Sequence, residues 1–108
     1  LVRQLGSSLD LGPKGDILAM QVVVKGLRGG VEATHTFELV DFMDPETGET
    51  AMARTTAFPA TIAARMITSG KLLERGVRFP EELFGGEPGD QLLSELEERG
   101  VAVRHAAE

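Results

Sequence analysis

The stretch Ile17–Phe42, ILAMQVVVKGLRGGVEATHTFELVDF, decides the fold. Two runs rich in β-branched and aromatic residues flank Gly29-Gly30. Two adjacent glycines can both take positive φ, which a two-residue hairpin loop requires. That loop sets the register. Val22 then faces Phe37, Met20 faces Leu39 and Val24 faces His35, all on one side. Gln21 meets Glu38 and Lys25 meets Thr34 on the other. The first side, continued by Val31 and Ala33, is the expected core face, and the polar side is left for solvent or a partner. A lone hairpin is marginal in water, so further strands or a covering helix must follow.

Downstream, Asp44–Glu49 is dense in turn formers. Its three acids do not sit at the alternating positions of a calcium loop, and no closing Glu follows, so it reads as a turn. Thr50–Thr55 reads as extended, with Ala51–Ala53 consistent with a third strand. Met52–Gly70, MARTTAFPATIAARMITSG, then reads as the central helix. Thr56 is the expected N-cap, Pro59 falls in the first turn, and Gly70 is the stop. Phe58, Ile62 and Met66, with Ala63 and Ile67, recur at helical spacing. Lys71–Gly76 leaves room for a further helical turn. Phe79–Phe84 is a connector with a single 3₁₀ or helical turn, and Gly85-Gly86 breaks it. Asp90 is the expected cap of a second helix, Gln91–Arg99, which buries Leu92, Leu93 and Leu96 and stops at Gly100. Val101–His105 alternates as an edge strand. Leu1–Gly15 has no sustained period and reads as a loop or linker from an upstream domain, leaving 16–108 as the folded unit. The expected class is α+β: an antiparallel-rich sheet built on the long hairpin, with two helices covering one face.

With 108 residues the chain holds one small core. The net charge of −6 argues against a nucleic-acid footprint and against anionic membrane surfaces. The absence of cysteine removes disulfides and thiolate metal sites. No apolar run reaches the length of a membrane span and no signal peptide stands at Leu1, so the cytoplasm is the expected location. A start at Leu1 rather than Met reads as a trimmed fragment.

Arg54, Thr55 and Thr56 form the polar cluster most like a site. On the expected boundaries they lie just ahead of a helix N-terminus, whose free N–H groups favour anionic or carbonyl oxygens. The Arg54 guanidinium can grip a carboxylate with two prongs; the alternative is an ion pair with Glu38, Asp41 or another acid of the domain. For Thr55 and Thr56 the alternative is capping alone. His35 reads as a hydrogen-bonded core residue, and His105 as a residue near the end of the chain; no metal-ligand spacing joins them. Glu95, Glu97, Glu98 and Arg99 read as the solvated face of the last helix. Neither Gly26-x-x-Gly29-Gly30 nor Gly85-Gly86-x-x-Gly89 stands between a strand and a helix, so neither is a dinucleotide loop.

Met52-Ala53-Arg54-Thr55-Thr56-Ala57-Phe58-Pro59, then Ala60 and Ile62-Ala63-Ala64, resembles the C-terminal part of the saccharopine dehydrogenase family, with the lysine 6-dehydrogenase branch nearest. Gly70, Gly76-Val77, Pro80-Glu81 and Arg99-Gly100-Val101 fit as well. The resemblance implies the substrate and dimerisation domain of an NAD(P)-dependent oxidoreductase that acts on the carbon–nitrogen bond of a lysine-derived amino acid. It implies an upstream Rossmann domain that binds NAD or NADP, an amino-acid substrate whose carboxylate meets Arg54, cofactor contacts from Thr55 and Thr56, and a homodimer. By itself the chain is then expected to be inactive and cofactor-free. The other reading is a non-catalytic α+β ligand-binding or dimerisation module.

Overall fold

The computed structural model describes residues 15–108. The linker expected at 1–15 lies outside them but for Gly15. Strand β1, Ile17–Arg28, and strand β2, Val31–Phe42, form the hairpin. Every facing pair expected from the Gly29-Gly30 loop is present, from Met20–Leu39 and Gln21–Glu38 to Lys25–Thr34. A third strand, β3, Val103–Ala107, pairs antiparallel with β2, giving the order β1-β2-β3. The α+β class is therefore correct.

The third strand is not at Ala51–Ala53. Those residues open helix α1, Ala51–Thr68, five residues ahead of the expected cap at Thr56. Thr50 is the N-cap, and its Oγ1 accepts the Ala53 N–H at 3.1 Å. The two N–H groups before that are taken by Asp16, whose Oδ1 accepts from Ala51 at 2.6 Å and Oδ2 from Met52 at 3.0 Å. A carboxylate thus covers the positive end of the helix. Because the start moves upstream, Pro59 stands inside α1, where it leaves the Thr55 carbonyl without its usual donor.

Both long helices end alike. At α1 the Lys71 N–H reaches the Met66 carbonyl and the Gly70 N–H reaches Ile67. Helix α2 is the single turn Pro80–Leu83, and helix α3 spans Glu87–Glu98. At the end of α3 the Val101 N–H reaches Leu96 and the Gly100 N–H reaches Glu97. This paired pattern needs a left-handed residue after the cap, and Gly70 and Gly100 supply it at φ 76° and 79°. Lys71–Gly76 adds no helical turn. Helix α3 starts three residues before the expected cap at Asp90, because Pro88 is tolerated in a first turn and Glu87 and Asp90 favour its positive end.

Helix α1 lies against β1 and β2, and α3 packs on α1. The core joins Leu39, Ile62, Met66, Leu72, Leu96 and Val101, with Phe58 and Val103 packed beside it. Ile67, expected on the apolar stripe, is 57% exposed, so the buried residues of α1 are Ala51, Ile62 and Met66, with Phe58 half-buried beside them. The expected core face of the hairpin is the correct one, since Leu39 and Asp41 are buried on it. The cover stops there. Val22 and Val24 on that same face remain exposed.

Candidate functional site

Three acids converge where the base of the hairpin meets α1. Asp41 is the last core-face residue of β2 and is buried. Asp44 opens the following turn, and Asp16 precedes β1. Arg54, one turn into α1, reaches Asp41 and Asp44, while Asp16 binds the N–H groups at the start of the helix. Its Nε donates to Asp41 Oδ2 at 3.0 Å and its Nη2 to Asp41 Oδ1 at 3.4 Å. Nη1 stands 3.5 Å from Asp44 Oδ2. Nη2 also donates to the Arg99 carbonyl at 3.1 Å, at the end of α3. The guanidinium carbon lies 5.6 Å from the centroid of the Phe58 ring. Gly100 makes room for this, because a Cβ there would meet Arg54 Nη2 at 3.2 Å.

Arg54 thus ties the hairpin, α1 and α3 together, and its two-pronged grip is on Asp41. A guanidinium offers five N–H donors, and these contacts engage most of them. The ion pair that the sequence left open as the alternative is present, although Glu38 is not its partner. Glu38 is on the opposite face and accepts from Gln21 Nε2 at 2.7 Å.

Thr55 donates its hydroxyl back to the Ala51 carbonyl at 2.8 Å. Thr56 is exposed, one turn inside the helix rather than at its cap. The free helix end expected at Thr55 and Thr56 is therefore at Ala51–Ala53, and Asp16 and Thr50 already fill it. Sequence spacing did not reveal Asp16, which lies 35 residues from Ala51. Thr50, a good capping residue directly ahead of an Ala-rich run, is the local signal that could have found the true start.

Local hydrogen bonds depress two of these acids. Asp16 is held below its ordinary value mainly by the Met52 N–H. Asp44 is lowered first by the Glu46 N–H, then by the Thr47 N–H, with the Arg54 charge adding less. The Asp44 turn is an Asx turn, its Oδ1 accepting from Glu46 at 2.8 Å.

The solvated face assigned to α3 needs correction at Glu95. Its Oε2 takes Arg65 Nη1 of α1 at 2.9 Å and Arg99 Nη2 at 3.2 Å, and its Oε1 takes Gln91 Nε2 at 2.9 Å. The Gln91 bond, followed by the Arg65 and Arg99 charges, lowers its pKa. Helical spacing shows that Glu95 shares a face with Gln91 and Arg99, but not that Arg65 lies opposite.

The other face of the sheet carries a cavity of about 440 Å³, lined by Glu38, Val40, Phe42, Gly100, Ala102 and Arg104. Glu38 and Arg104 are cross-strand partners in β2 and β3. Among the described residues neither makes an ion pair. Val40 and Phe42 are 56% and 60% exposed there. Gly100 links this cavity to the Arg54 junction behind it.

The sequence matches the family model described as saccharopine dehydrogenase C-terminal domain over residues 1–101. The chain belongs to that family. The match takes in the hairpin as well as the Met52–Gly70 segment. A C-terminal domain family implies a partner domain upstream. The cavity of this domain opens on the face that its own helices leave bare. No helix among the described residues is long and apolar enough to cross a membrane.

Proposed function

We propose that this domain forms the substrate side of an NAD(P)-dependent oxidoreductase that acts on the carbon–nitrogen bond of a lysine-derived amino acid in the cytoplasm. The family match carries the reading. The upstream domain would be a Rossmann domain that binds NAD or NADP and packs on the open face of the sheet around Val40 and Phe42. The cofactor supplies the hydride, and this domain supplies position and charge. Glu38 and Arg104 set opposite charges in one cavity, which suits the ammonium and carboxylate of an amino acid. Arg54 acts from behind by holding the Arg99 carbonyl, and Nη1, 3.5 Å from Asp44 Oδ2, is the atom assigned to a substrate carboxylate. Thr56 is the better placed of the two threonines to meet a cofactor, since Thr55 bonds within its own helix. The bare sheet also suits a homodimer, because unpaired apolar strand surface favours a second copy.

Calorimetric titration of the domain with NAD and NADP, beside an amino-acid oxidation assay of the full-length protein, tests this. The expected result is turnover by the full chain and no micromolar binding by the domain alone. Tight binding by the domain would place the cofactor site here instead. A full-length protein that neither binds a nicotinamide cofactor nor turns over an amino acid would leave the non-catalytic module.

A further inference from the structure

We propose that His35 and His105 form a pH-operated latch, which holds β3 on β2 while one ring at most is protonated and releases it when both are. His35 Nδ1 and His105 Nε2 lie 2.9 Å apart. Their ring centroids are 5.1 Å apart and the rings are 11° from parallel. An imidazole nitrogen sits a little over 1 Å from its ring centre, so the two nitrogens lie almost on the line between the rings. That is the geometry of an N–H of one ring aimed at the lone pair of the other. The residues are not strand partners: His35 faces Ala107 and Phe37 faces His105. The bond therefore runs diagonally across the β2–β3 ladder. Phe37 stacks on His105 with centroids 4.6 Å apart and fixes that ring.

The chemistry of two imidazoles sets the behaviour. With no added proton the pair shares one N–H···N bond. With one added proton the bond is charge-assisted. With two, neither ring has a lone pair to accept, and two positive charges face each other. Few groups compensate. On this face β1 offers Met20, Val22 and Val24, β2 offers Ala33 and Phe37, and β3 offers Val103 and Ala107. Among the described residues, the charged ones of the face are Arg28 at the hairpin tip and Asp41, which is already bound to Arg54. Lys25, Glu32, Glu38 and Arg104 lie on the other face.

β3 is the strand such a change would move. It has five residues and, among the described residues, pairs with β2 alone. It carries Arg104, a wall of the cavity on the opposite face. Release of β3 would take Arg104 away from Glu38, so the latch would couple acid to the shape of that cavity. The latch stands whether or not an amino acid binds there.

Hydrogen–deuterium exchange of the full chain tests it, with peptides from β3 read against peptides from the β1–β2 hairpin. Rates are corrected for the intrinsic effect of pH and compared at about pH 7.5 and about pH 5, the span over which histidine changes charge. Two unit charges about 3 Å apart, even screened as in bulk water, repel enough for about a tenfold rise in the β3 to hairpin ratio at the lower pH. In His105→Gln, whose amide can still bond to His35 but does not titrate, the ratio is expected to stay flat. His35→Gln repeats the measurement from the other strand. A ratio that does not change with pH in the parent protein, or that rises equally in both variants, overturns the latch.

Discussion

The two ends of one hairpin have opposite fates. Near Leu39 and Asp41 the sheet is covered by α1, buried, and cross-tied by Arg54. A few residues further, at Val22 and Val24, the same face of the same strands is bare. Pairing is unbroken from Ile17–Phe42 to Arg28–Val31. Alternation and register are thus equally good at both ends, and only the helices distinguish them. The covered end holds the fold together, while the bare end leaves apolar surface exposed. Substitutions along the hairpin should separate these two roles.

The largest loss of stability is expected from Arg54→Ala. It leaves the buried Asp41 carboxylate without its cation, and breaking a buried pair this way costs about 3–5 kcal/mol. Asp41→Asn should approach that loss. Arg54→Lys should fall between, since an ammonium cannot grip Asp41 and the Arg99 carbonyl with a planar fork. Urea unfolding measures all three. Steady-state kinetics of the full-length protein complete the comparison. The expected pattern is a large drop in Tm with a smaller change in kcat/KM for the folded fraction. An unchanged Tm with a collapsed kcat/KM would make substrate binding the main work of Arg54.

Ile62→Ala is expected to follow, at about 2–5 kcal/mol for a large-to-small change in a packed core. Ile62 is 0% exposed, and it sits between the sheet and α3 in the Leu39, Met66, Leu96, Val101 cluster. Urea midpoints read this directly.

What could be read from the residues follows the same division. The hairpin was legible because Gly29-Gly30 and strict alternation are local signals. The stops at Gly70 and Gly100 were legible because a left-handed cap favours glycine at one defined position. The start of α1 was not, because Asp16 supplies its cap from the far side of the hairpin. Pro59 also misled, since proline favours a first turn and here stands inside the helix. Arg54 stood out as a residue able to bind a carboxylate, and Asp41 was already among the acids that could meet it. No spacing rule says which acid the fold brings there. The cavity of Glu38 and Arg104 was hidden for a further reason. Its two charges come from strands 66 positions apart in the chain, as the Glu38–Arg104 pairing shows.

A third, smaller effect concerns acid. The Asp16 carboxyl lies below its ordinary value of 3.8 in the folded chain, held there first by the Met52 N–H. A depressed carboxyl stabilises the fold above its unfolded pKa, and that contribution is lost as pH falls through the lower, folded value. Asp44 has the same sign, through Glu46 and Thr47. Asp16→Ala should therefore lower Tm at neutral pH. The difference from the parent chain should begin to shrink as pH falls below about 4, where the unfolded chain takes up its proton, and vanish once pH is below the lower, folded value. Thermal melts across that range check both parts. A gap that widens towards acid would mean that the Asp16 bonds to Ala51 and Met52 do not govern the start of α1.

The smallest effect on stability is expected at Val24→Thr. Val24 is 52% exposed, whereas Leu39, on the same face, is 7% exposed. Threonine keeps the β-branch and the strand preference, so pairing with His35 should persist. An exposed substitution of this kind changes stability by no more than about 0.5 kcal/mol. The same change adds a hydroxyl to apolar surface that a second copy of the chain would bury. If this surface mediates a homodimer, Val24→Thr should leave the melt of the dilute protein unchanged and weaken self-association. Sedimentation equilibrium of the parent and variant at matched concentrations separates the two effects. A shift toward monomer with an unchanged melt would mark the bare end as the contact between copies. Equal association in both proteins would move that contact elsewhere on the surface, and a large fall in Tm would show that the bare end is covered within a single chain.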